Sequence, residues 1–154
     1  WLSVCRKEHL ELPVALQPHY NLVERDYESN GLKALAEAEG LQVFPYYGLA
    51  RGFLTGKYRS QNDLHAAGAS PRAAQALHYL DAHGKEVLAV LDTVAEARGV
   101  TVAAVALAWL RQQPTVTAPI ASAKNAGQLQ GLRESMQLTL TKEEVTDLNQ
   151  ASAV

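Results

Sequence analysis

An α/β fold of parallel βα units, part of a larger covered sheet or of a closed barrel, is what this sequence predicts, on three observations. Short apolar runs at residues 13–17 (PVALQ), 41–46 (LQVFPY) and 116–121 (VTAPIA) are each followed by helical sequence, the alternation of parallel βα units. Polar clusters fall directly after each run, at residues 17–21 (QPHYN), 46–57 (YYGLARGFLTGK) and 122–128 (SAKNAGQ). The C-terminal ends of strands are where barrel chemistry gathers, so the clusters are expected to converge. Finally, three parallel strands by themselves would leave raw edges, whereas parallel sheets are normally covered on both faces or closed into a barrel.

The elements follow in order. Residues 1–12 mix polar and apolar positions and suit the tail of a helix. The run 13–17 suits a short parallel strand stopped by Pro18, which donates no ladder hydrogen bond. After a loop, residues 31–39 (GLKALAEAE) place Leu32, Leu35, Ala36 and Ala38 on one side of a helix that ends at Gly40. The second strand, 41–46, leads into residues 48–72, which hold Gly, Ser, Asn and Pro without a sustained period and read as a long functional loop. Pro71 is placed to open a helix, and residues 73–98 read as one or two helices ending at Gly99. Thr101 then caps VAAVALAWLRQQ, whose alanines permit close packing and which Pro114 stops. After the third strand, residues 125–136 are helical, and Thr141 with Glu144 forms a capping box for a last helix.

Composition excludes several classes of function. A chain of 154 residues with 47% hydrophobic content can bury a real core. A net charge of −2 with mixed signs gives no broad basic field, so neither nucleic acid nor an anionic membrane is an expected partner. The single cysteine, Cys5, has no internal disulfide partner, and no apolar stretch is long enough to span a bilayer. An intracellular, cytoplasmic protein is expected. The opening Trp-Leu-Ser-Val does not resemble a targeting peptide and reads as a cut inside a helix.

The strings LQPHYNLVERD, FPYYGLARGFLTGKY, VAAVALAWL and APIASAKNAGQL, in this order and spacing, resemble the C-terminal half of an aldo-keto reductase. The resemblance spans nearly the whole chain. It implies the C-terminal half of a (β/α)8 TIM barrel, residues 1–154, with the N-terminal half absent from this chain. It also implies NADP(H) bound in an extended pose without a Rossmann glycine fingerprint, and reduction of aldehydes or ketones. By the same resemblance Gln17 is the glutamine that hydrogen-bonds the nicotinamide carboxamide, and Tyr46 the ring on which the nicotinamide stacks. Tyr47 and Gly48 stand where the family usually has Ser-Pro. Leu49, Ala50, Arg51 and Gly52 match the loop along the pyrophosphate, and Lys57 adds a cation at its end. Ser122, Lys124 and Gln128 match the site of the adenosine 2′-phosphate and adenine, near a helix N-terminus. Gly131 and Leu132 replace a common Glu-Asn pair, and Arg72 falls where some relatives bring an arginine over the cofactor.

Each of these residues also has an ordinary reading: Gln17 as a loop amide, Tyr46 as core, Arg51 and Lys57 as solvated charges, and Ser122, Lys124 and Gln128 as helix-cap chemistry. No catalytic residue is assigned. The Tyr, Lys, His and Asp tetrad of the family belongs to the first half of the barrel. His19, His65, His78 and His83 are read as surface or packing residues, and no Cys/His cluster has metal-ligand spacing. The expected partners are a small carbonyl substrate and either the N-terminal half of the barrel or a second copy. Two alternatives stay beside the reductase: a noncatalytic nicotinamide-cofactor-binding subunit, and a half-barrel assembly module.

Overall fold

The computed structural model describes residues 1–64 and 73–153. Its helices and strands are α1 (Leu2–Lys7), β1 (Ala15–Leu16), α2 (Leu32–Glu39), β2 (Gln42–Val43), α3 (Ala73–Ala76), α4 (Ala82–Arg98), α5 (Val102–Arg111), α6 (Ala126–Gln137) and α7 (Lys142–Ala151). Short 3₁₀ turns occupy Asp26–Glu28, Ala50–Thr55, Gln61–Leu64 and Leu77–Tyr79.

The apolar runs do pair in parallel. Ala15 lies opposite Gln42 and Leu16 opposite Val43, and beyond them the Tyr46 N–H donates to the Pro18 carbonyl at 3.0 Å. On the other edge of β2, Val43 bridges Val116 in parallel. There the Thr117 N–H reaches the Val43 carbonyl at 2.8 Å and the Ile120 N–H reaches the Pro45 carbonyl at 2.9 Å. The spatial order is therefore β1, β2, then residues 116–120. The regular ladder is much shorter than the apolar runs because Pro13, Pro18, Pro45 and Pro119 interrupt all three with residues that accept but cannot donate.

Helix ends follow local chemistry. Thr101 accepts from the Ala104 N–H at 3.2 Å, Asn125 from the Gln128 N–H at 3.0 Å, and Thr141 and Glu144 form a reciprocal capping box. Gly40 and Gly99 close α2 and α4 in the left-handed conformation, with φ of 62° and 63°. The stretch 73–98 is two helices, joined by the turn Leu77–Tyr79, with Asp81 capping α4 through the Gly84 N–H at 2.7 Å. Two expectations need correction. Gly31 is the N-cap of α2 rather than its first residue, with φ of 87°. On the face expected to be buried, only Ala36 is fully so, while Leu35 and Ala38 are exposed, because among the described residues little packs over that side of α2. The expectations at Pro71, His65 and Arg72 lie outside the described residues.

The core centres on α5, where every residue from Ala104 to Leu110 is buried between α4, α6 and the loop after β2. A clasp on its far side joins distant segments. Arg25 makes a bidentate pair with Glu28, 2.8 Å to each oxygen, donates to the Ser152 hydroxyl at 2.8 Å, and lies 5.4 Å over the Trp109 ring. Burial alone would raise the Glu28 carboxyl, yet hydrogen bonds from Arg25 and Tyr20 hold it below the usual carboxylate range. Several apolar side chains within residues 1–14 are exposed: Trp1 (87%), Val14 (77%), Val4, Leu10 and Leu12. Among the described residues no single helix is long and apolar enough to cross a membrane.

Candidate functional site

The C-terminal ends of β2 and of residues 116–120 open onto a cavity of about 810 Å³, within the range of small-molecule sites. Its walls include Tyr46, Tyr47, Gly48, Leu49, Arg51, Gly52, Lys57, Ser122, Lys124 and Gln128. Two polar clusters separated by some 70 residues of sequence thus face one space, with the N-terminus of α5 (Thr101, Ala103) between them. Two expected residues stay out of it. Gln17 is exposed just beyond β1 and does not line the cavity. Ala50 is fully buried: its φ of 46° turns the methyl into the core beneath the loop.

The loop after β2 has an unusual backbone. Tyr47, Ala50 and Arg51 have positive φ (54°, 46° and 58°) and Gly52 follows at 99°, a strained arrangement for side-chain-bearing residues. A proline at position 48 would push residue 47 out of this region, so Gly48 and the left-handed Tyr47 go together. Gly48 is also where the loop touches α5, since an added Cβ would lie 3.0 Å from Leu110 and 3.3 Å from Leu107. Buried Asn21 anchors the turn. It donates to the Tyr47 carbonyl at 3.0 Å while accepting from the Val23 N–H at 2.9 Å.

Tyr46 and Tyr47, each 38% exposed, stand at the mouth with ring centroids 5.0 Å apart. Arg51 lies 4.6 Å over the Tyr47 ring and donates to Gln75 at 2.7 Å. Lys57 sits 4.7 Å over Tyr58, which is buried. At the other end, the Lys124 N–H donates to the Gln128 side chain at 2.8 Å, so part of that carboxamide closes the helix start. Gly131 packs against Thr101, its would-be Cβ 2.9 Å from the Thr101 hydroxyl, which leaves no room for a glutamate there without movement. Glu134 accepts from the Thr101 N–H and hydroxyl, each at 2.9 Å, and the first of these bonds holds its carboxyl below the usual range.

The sequence reading left several residues that shape this site unassigned: Asn21 holds the loop, and Thr101, Ala103 and Ile120 line the walls, while His19, read as a surface or packing residue, packs on Tyr46. The string PHYN carried a signal for His19 and Asn21, as a polar cluster at a strand end; the others look like ordinary cap and core residues.

The family model of the aldo/keto reductases matches residues 2–153. The chain belongs to that family. Its members are oxidoreductases that generally use nicotinamide cofactors, on a (β/α)8 barrel. The chain is 30% identical to L-glyceraldehyde 3-phosphate reductase of Escherichia coli O157:H7 over 139 residues, which cover 87% of this chain and 40% of that protein. It is 30% identical to the protein Tas of Escherichia coli K12 over 149 residues, 96% of this chain and 42% of that one. Norsolorinic acid reductase B of Aspergillus parasiticus is 31% identical over 140 residues, covering 90% and 35%. The chain therefore spans about two fifths of the length of the curated relatives it matches.

Proposed function

We propose that this chain is the cofactor-binding, C-terminal half of a (β/α)8 barrel in an NADP(H)-dependent reductase of aldehydes or ketones. The observation that carries the reading is the convergence of residues 46–52 and 122–128 on one cavity at the C-terminal ends of parallel segments. The cavity is a fit for a dinucleotide. It offers exposed aromatic rings at one end, a close-approach loop with Gly48 and Gly52, and Ser122 and Lys124 beside a capped helix start at the other.

In this reading Tyr46 orients the nicotinamide ring, the loop 49–52 and Lys57 hold the pyrophosphate, and Lys124 with Ser122 receives the 2′-phosphate. Bound there, the cofactor supplies hydride to a carbonyl carbon. The residues that protonate the carbonyl oxygen lie in the N-terminal half, outside this chain, so this chain's share is binding, orientation and exclusion of water. The exposed apolar side chains within residues 1–14 support completion by further parts of a barrel. A denaturing mass spectrum of the isolated protein tests this: a polypeptide more than twice as heavy, or a second fragment, is expected, and a lone 16.7 kDa species would favour a binding subunit or a half-barrel module.

The cofactor assignment is tested by titrating NADPH and NADH into the protein. Lys124→Ala is expected to weaken NADPH about tenfold more than NADH, since it removes a charge-assisted contact available only to the phosphorylated cofactor. Equal losses, or no binding of either, would overturn it.

A further inference from the structure

Three observations meet at His19, which has no role in the proposed cofactor site. Its ring lies 5.1 Å from that of Tyr46, 19° from parallel, and meets Tyr47 edge-on at 5.5 Å. Tyr46 lines the cavity whereas His19 does not, so the imidazole backs the phenol ring from the side away from the ligand space. Its Nε2 is buried without a hydrogen-bond partner among the described residues.

We infer that His19 is a positioning residue whose protonation state controls how well the Tyr46 platform accepts a positively charged, oxidised nicotinamide; this rests on the cavity being a nicotinamide dinucleotide site. A neutral imidazole gives Tyr46 a flat, uncharged backing. A protonated one places a cation behind the ring on which another cation would lie, in a partly desolvated place where charges a few ångströms apart still interact. Histidine is the side chain whose ordinary titration falls in the range where such a switch matters.

The charges facing His19 come from two directions: Glu24 and Asp26 on the segment after β1 favour the protonated form, and Arg51 on the loop after β2 opposes it. Burial is the largest influence, and the result is a pKa below the ordinary histidine value. The sign follows. At pH 8 the imidazole is neutral and the oxidised cofactor meets no repulsion; as pH falls through the His19 pKa, its affinity drops. By reciprocity, binding of the oxidised cofactor lowers that pKa further.

The test compares NADP+ with 2′-phospho-ADP-ribose, which carries the same phosphates without the nicotinamide, so that phosphate titration cancels in their affinity ratio. Calorimetric titrations at pH 8 and at a pH below the midpoint at which the wild-type His19 resonance titrates are expected to show the ratio falling about three- to tenfold in the wild type. In His19→Phe, which keeps a stackable ring but cannot titrate, the ratio should be independent of pH. The His19 proton resonance, assigned by its loss in that variant, should titrate at lower pH with NADP+ bound than with the truncated ligand. Binding of both ligands with a flat wild-type ratio, or an equal fall in His19→Phe, would overturn the His19 inference alone. Failure of both ligands to bind at either pH would overturn the cofactor reading and this inference with it.

Discussion

Replacing Gly84 with alanine puts two physical effects in direct opposition. Gly84 lies in the first turn of α4, so alanine should gain up to about 1 kcal/mol in backbone propensity. Against this, an added Cβ would lie 3.0 Å from Phe53 Cζ and 3.0 Å from the Tyr79 carbonyl carbon, and inside the contact distance of its oxygen. Carbon atoms at rest sit about 3.5–4.0 Å apart, so the overlap is about 0.5–1 Å at each of these two carbons and greater at the Tyr79 oxygen, which is backbone. Neither neighbour yields easily. Phe53 is fully buried, and Tyr79 is held in a 3₁₀ turn with its hydroxyl donating to Glu24 at 3.1 Å. Overpacking of this kind costs about 1–3 kcal/mol; taking the upper half of that range, the net loss is about 1–2 kcal/mol, a fall in Tm of about 2–8 °C for a domain of this size. Thermal unfolding followed by circular dichroism measures it. Gly127→Ala is the matched control: among the described residues its Cβ would meet nothing nearer than Asn125 Oδ1 at 3.5 Å, so it should be neutral or slightly stabilising. A Gly84→Ala protein as stable as the wild type would refute the packing analysis of this corner.

Other consequences can be measured on the same protein. Arg25→Ala should destabilise by about 2–3 kcal/mol in urea unfolding, because it leaves Glu28 with the Tyr20 hydroxyl but without its paired guanidinium and removes the Ser152 contact; Arg25→Lys, lacking the fork, should recover little. The depressed Glu28 carboxyl contributes stability above its unfolded pKa and loses it as pH falls through the lower folded value. Stability should therefore decline below about pH 4, and Glu28→Gln, though less stable at pH 7, should lose less over that window. Tyr46→Ala should weaken NADP+ about three- to tenfold while leaving 2′-phospho-ADP-ribose nearly unaffected; unchanged NADP+ affinity would count against the platform role.

What could be read from the sequence alone was whatever depends on neighbours a few residues away. Thr101 and Thr141 with Glu144 start their helices, and Gly40 and Gly99 end theirs, as expected, because a cap is a hydrogen bond or a left-handed residue within one turn. The parallel βα order and the grouping of polar clusters at strand ends were legible for the same reason, and the motif resemblance pointed to the family that the comparison then showed. Tertiary structure decided the rest. Whether Leu35 is buried depends on what packs over α2, and whether Ala50 faces the cavity depends on a positive φ that nothing in its own identity requires. The stacking of His19 on Tyr46 joins residues 27 apart in sequence through one parallel bridge. Packing between distant segments has no local code, because burial and orientation are set by which surfaces meet, and that is known only once the chain has closed on itself.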